Sequence, residues 1–119
     1  MALSRVVEWQ KNSLYNVGMN RSAATLKGIV KQLRAMLPVL REKYHVQTLE
    51  VFGSYVRGDE RENSDLDLLV TFDKVPSLFQ YVALENYLSD ELGVKVDLVM
   101  KDSLKPAIGK RILEEAQAI

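Results

Sequence analysis

Gly53-Ser54-Tyr55-Val56-Arg57-Gly58, followed by Asp59 to Asn63 and then by Ser64-Asp65-Leu66-Asp67-Leu68, is the stretch on which the fold turns. Before it, Val46 to Phe52 alternates with a period of two, so the chain leaves a strand through a Gly-Ser turn. Gly53 lets backbone approach a ligand closely, and Ser54 offers a hydroxyl and an N–H to phosphate oxygens. A Gly-Ser pair alone says little. Ten residues further on, Asp65 and Asp67 stand two apart at the head of a second strand, Asp65 to Phe72, and so project from the same face. Two bare carboxylates so placed repel each other unless a cation intervenes. With oxygen ligands and no His or Cys nearby, Mg²⁺ completed by substrate phosphates fits best.

Working outward, the apolar residues Leu26, Ile29, Val30, Leu33, Leu37, Leu40 and Tyr44 recur at helical spacing, with Pro38 expected to kink or split the helix. In the first strand Val46, Thr48, Glu50 and Phe52 are expected on one side, and Gln47, Leu49 and Val51 on the other. In the second, Leu66, Leu68, Val70 and Phe72 oppose Asp65, Asp67, Leu69 and Thr71. Ser77 caps a helix bearing Leu78, Tyr81, Val82, Leu84, Leu88 and Leu92, which Gly93 ends before a third strand from Val94 to Met100. Asp97 lies opposite Val96 and Leu98 there. Asp102 or Ser103 caps a last helix with an Ile108, Ile112, Ala116 stripe. The order describes an α/β fold, a short mixed sheet flanked by helices, with carboxylates facing an open side. Asp97 can join Asp65 and Asp67 in that cleft, allow a second metal about 4 Å from the first, or take an acceptor's proton. The plain alternative for Asp97 is an exposed strand acid paired with a lysine.

Taken together, Gly53-Ser54, Arg57-Gly58, Ser64-Asp65-Leu66-Asp67-Leu68 and the strand-borne Asp97 resemble the minimal nucleotidyltransferases of the DNA polymerase β superfamily. The resemblance runs from about Arg21 to Ile119, and includes Lys43-Tyr44 before the first strand and Arg111-Ile112-Leu113-Glu114-Glu115 in the last helix. His45 stands where the family often has glycine. The resemblance implies that Asp65 and Asp67 coordinate metal and nucleotide, that Asp97 completes the triad, and that Gly53 and Ser54 hold the β- and γ-phosphates. It implies ATP as substrate and a pair of Mg²⁺ ions. It further implies a helical HEPN-type toxin as partner in a hetero-oligomer, with this chain as the antitoxin that adenylylates a tyrosine on it. Arg57 and Ser64 are the remaining nucleotide-binding candidates. Arg57 competes with a surface role among Asp59, Glu60, Arg61 and Glu62; Ser64 competes with a turn-stabilising one.

Composition narrows the rest. The 119 residues suit one domain, expected over 22–119 behind an N-terminal arm over 1–21 whose Leu3, Val6, Val7, Leu14 and Val17 suggest a short amphipathic helix. Trp9 on that arm suits packing or partner docking. Sixteen basic and sixteen acidic side chains cancel, so a long polyanion finds no general attraction, and no long nucleic acid is expected as a partner. No apolar run approaches the roughly 20 residues that span a bilayer, and no signal-peptide run opens the chain. Cysteine is absent, and cytoplasmic residence is the expectation. Two rival functions remain: a binding antitoxin that masks its partner without catalysis, and transfer to a small molecule, for which no second domain supplies a pocket.

Overall fold

The structure, a computed structural model, describes residues 25–119. The expected arm over 1–21 lies outside the described residues. Helix α1 spans Leu26–Tyr44; Thr25 caps it, its hydroxyl accepting the Gly28 N–H at 3.2 Å. Ile29, Leu33 and Leu40 are its buried stripe, each contributing roughly 1.5–3 kcal/mol by leaving water. Pro38 does not split it. The helix runs unbroken through an exposed Pro38, where the proline deletes one rung that water can replace. At its end His45 adopts φ 59, ψ 30, and its N–H caps the Leu40 carbonyl. That left-handed cap favours glycine, which is the physical sense of the glycine the resemblance leads one to expect there.

Strand β1 (Val46–Phe52) pairs antiparallel with β2 (Leu66–Phe72), and β2 pairs parallel with β3 (Val96–Met100). A fourth strand, β4 (Gln117–Ala118), lies antiparallel on the other side of β1, so the order is β3-β2-β1-β4. The one-turn helix α2 (Ser54–Arg57) follows β1, α3 (Leu78–Leu92) links β2 to β3, and α4 (Pro106–Glu115) follows a 3-10 turn at Lys101–Ser103. Helices α1 and α3 cover one sheet face, where Leu33, Leu66, Leu68, Leu84, Leu88 and Leu98 meet in the core. Ser77 and Gln80 form a reciprocal capping box at the start of α3, and Gly93 ends it at φ 69. Among the described residues, no helix is long and apolar enough to cross a membrane.

Five further expectations need correction, the simplest being that β3 begins at Val96 and not at Val94. A bulge between Val46 and Thr48 shifts the alternation of β1, so Val46 joins Leu49 and Val51 in the core instead of facing away from them. Strand β2 begins at Leu66, one residue after Asp65. On α3 only the Leu84, Leu88 and Leu92 part of the stripe is buried; Leu78 is 77% exposed and Val82 44%. Helix α4 starts at Pro106, with Lys105 as a cap that makes no side-chain bond, in place of Asp102 or Ser103. Its Ile108 is 62% exposed, and the helix stops at Glu115 so that the chain can extend into β4.

Candidate active site

The face of the sheet away from α1 and α3 carries the polar constellation. Register sets Phe52, Asp67 and Asp97 side by side across β1, β2 and β3, and neighbouring strands stand about 4.8 Å apart. Asp67 and Asp97 therefore share one face and one level of the sheet. The next row towards the core of that face holds Glu50 and Leu69, and Lys101 reaches over to Glu50 at 2.9 Å. Phe52 and Leu69 are buried, so Asp67 stands on an apolar floor. Burial first, and then the charges of Asp97 and Asp65, push the Asp67 carboxyl up to about 6. The site is thus strained electrostatically in a way that a cation would relieve.

The Gly53–Ser54 turn closes against this row. Gly53 has φ 82 and ψ −153, a region that only glycine occupies readily. Its missing side chain is also a spatial requirement: a Cβ there would stand 3.0 Å from Asp67 Cγ and closer still to Oδ2. The carbonyl of Gly53 accepts from Val56 and Arg57, and that of Ser54 from Gly58 and Asp59. The amides of Ser54 and Tyr55, at the open start of α2, remain as donors for an anion. Asp65, just before β2, lies 3.9 Å from Lys95 Nζ; the lysine thus pairs with Asp65, while Asp97 is exposed.

Among the described residues no three His, Cys, Asp or Glu side chains converge closely enough to hold a metal unaided. The donors are hard oxygens, and Asp67 sits beside Asp97 in register, so the residues fit an ion that also takes phosphate oxygens, as Mg²⁺ does. Ser64 holds its own turn, its hydroxyl accepting the Arg61 N–H at 2.7 Å. Arg57 bonds to Asp59 at 3.3 Å and to Glu115 Oε1 at 2.8 Å. Glu115, to which sequence reasoning gave no role, also accepts the Gly53 N–H at 2.8 Å through Oε2. Partial burial would raise its carboxyl, but Arg57 and the Gly53 N–H outweigh that and hold it below the ordinary range. One signal was available: an acid in the last turn of a helix opposes the helix dipole and needs a compensating donor.

Comparison with known proteins agrees with this geometry. Residues 33–119 match the nucleotidyltransferase domain family. The chain is 50% identical over 91 residues to the protein adenylyltransferase MntA of Thermococcus cleftensis, covering 76% of this chain and 92% of that one. A solved protein provisionally named a minimal nucleotidyltransferase is 36% identical, with a TM-score of 0.63 over 76% of this chain and 95% of its own. The MNT antitoxin complex with tri-AMPylated HEPN toxin from Shewanella oneidensis shares the fold at 19% identity and a TM-score of 0.57, covering 76% of this chain and 67% of that one. A Gly-Ser turn sealed against an aspartate, a second aspartate beside it in register and a matching family profile lead to one conclusion: the chain belongs to the nucleotidyltransferase domain family, as a minimal nucleotidyltransferase.

Proposed function

We propose that the chain transfers AMP from ATP, with Mg²⁺, to a hydroxyl of a HEPN-type toxin, most naturally a tyrosine, and thereby acts as its antitoxin. The observation that carries this reading is the placement of Asp67 beside Asp97 at the mouth of the Gly53–Ser54 turn. Gly53, by the close approach its missing side chain allows, and Ser54, by its N–H and hydroxyl, receive the β- and γ-phosphates; Asp65 and Asp67 would hold Mg²⁺ and orient the nucleotide. When bound, the metal supplies charge for the developing phosphoryl oxygens. Asp97, exposed on β3, takes the proton as the acceptor oxygen bonds to the α-phosphorus and the bond to pyrophosphate breaks. The identity with a protein adenylyltransferase and the AMPylated toxin in a complex of the same fold support the acceptor and the partner. The cytoplasm, where ATP is abundant, is the compartment we assign.

Labelled ATP, Mg²⁺ and the co-purified partner test the reading. Label should move to the partner, and Asp65→Asn, Asp67→Asn or Asp97→Asn should each lower the rate by at least about 100-fold. A partner that stays unlabelled defeats the reading. The second reading is a masking antitoxin without catalysis, favoured by the one fact that, among the described residues, no three carboxylates converge closely enough to hold a metal unaided. Neutralisation that persists in the triple Asp→Asn variant would select it.

A further inference from the structure

We propose that Glu115 is a positioning residue for nucleotide binding: its carboxylate spans the Gly53 N–H and the Arg57 guanidinium and so fixes the phosphate turn against the sheet. The inference rests on the nucleotidyl-transfer reading and deepens it. Both oxygens are used, Oε2 on Gly53 at 2.8 Å and Oε1 on Arg57 at 2.8 Å. The Glu115 side chain is 23% exposed while Arg57 is 52% exposed, so the clamp closes on the inner side of the turn and leaves the arginine reachable from solvent.

The physical argument begins at Gly53. Its backbone lies where a flexible glycine has many alternatives: its carbonyl is held by the Val56 and Arg57 amides, while on the amide side the preceding strand, the Asp67 carboxylate where its side chain would be, and Glu115 constrain it. Asp67 acts there by exclusion and supplies no bond, whereas Glu115 supplies a charge-assisted one. Fixing the Gly53 amide also fixes the next peptide, and with it the Ser54 N–H that faces the open start of α2. The second oxygen anchors Arg57 at the other end of the same turn, so Glu115 ties both ends of a four-residue helix too short to hold its shape by itself. The clamp also joins the site to the end of the fold. Glu115 closes α4, and two residues later the chain pairs with β1 through Gln117 and Ala118. The carboxylate thus stands on an anchored element, as an orienting group must.

The test measures equilibrium binding of a fluorescent ATP analogue with Mg²⁺ to the full chain, together with steady-state transfer. Glu115→Ala should weaken nucleotide affinity and raise KM for ATP about tenfold, with kcat at saturation changed less than about threefold. Glu115→Gln, which keeps an acceptor for Gly53 but turns an amide towards Arg57, should fall between. Thermal melting reports whether each variant folds, and Glu115→Gln carries the test if Glu115→Ala does not. Arg34→Ala is the control: it releases the Ile119 carbonyl, held at 3.1 Å, without touching the turn, and should leave affinity unchanged. Folded Glu115 variants with native affinity would overturn the proposal, as would an Arg34→Ala variant as weak as Glu115→Ala, since Glu115 would then be a mere tether. If the unaltered chain binds no nucleotide, the transfer reading fails and takes this proposal with it.

Discussion

In the proposed reading, Asp67 carries a conflict between folding and function. Its folded-state pKa of about 6 stands above the ordinary 3.8, so between those values the folded chain keeps a proton that the unfolded chain releases. The favourable contribution is present at the acid side of that window and is lost as pH rises through about 6. Asp67→Asn should therefore stabilise the metal-free protein at pH 7.5 by about 1 kcal/mol, roughly 4–8 °C in Tm for a domain of this size. At pH 5, inside that window, about half of the difference should remain, and the melting curves of native and variant should nearly coincide only below about pH 3.8. A variant that is less stable at pH 7.5 would show that Asp67 is held by attraction and not crowded by repulsion. The same residue shows what sequence can reveal. The Asp-x-Asp spacing and the upstream Gly-Ser mark the candidate site without coordinates, because both are local patterns. The Glu115 contact joins positions 62 residues apart, and no local pattern announces such a pairing.

At the scale of elements, the alternation of β2 and β3 and the caps Ser77 and Gly93 were legible because each follows from adjacent residues. The phase of β1 was not, since a bulge adds a residue whose cost is settled by the partner strand. Neither was the fate of α3's first turns. Leu78, 77% exposed, matches the buried stripe in periodicity, but packing against the core begins only at Tyr81 and burial is complete at Leu84, Leu88 and Leu92. The turn α2 gives the sharpest mutational expectation. Gly53→Ala places a side chain in a glycine-only conformation and against the Asp67 carboxylate, and should cost about 3 kcal/mol. Denaturant midpoints measure this. A loss below about 1 kcal/mol would mean that the turn can relax away from the sheet.

For the whole molecule, the separation of carboxylates determines how ligands should stabilise it. No three of them converge unaided among the described residues, so Mg²⁺ alone has few ligands to gather. Millimolar Mg²⁺ should shift Tm by less than about 1 °C, the non-hydrolysable nucleotide alone should do little more, and the two together at 100 times Kd should add about 2.7 kcal/mol. A large shift with metal alone, read by scanning calorimetry, would point to a preformed cage instead. The mixed sheet explains why the site forms at all. Parallel β2 and β3 bring Asp67 and Asp97 level, while the antiparallel β1 delivers Gly53 at the same end; an all-antiparallel arrangement of these three strands would send the turn to the far end of the sheet from Asp97, and an all-parallel one to the far end from both aspartates.

The close fit of Gly53 to Asp67 also gives the site a direction in its history. A lineage that first trades Asp67 for a smaller residue relaxes the spatial part of the constraint on position 53, and later changes there meet less resistance. Once a side chain has settled at 53, restoring aspartate at 67 meets an occupied space. Catalysis lost by that route is not regained by the single reverse step, so a descendant that carries both changes should keep only the scaffold.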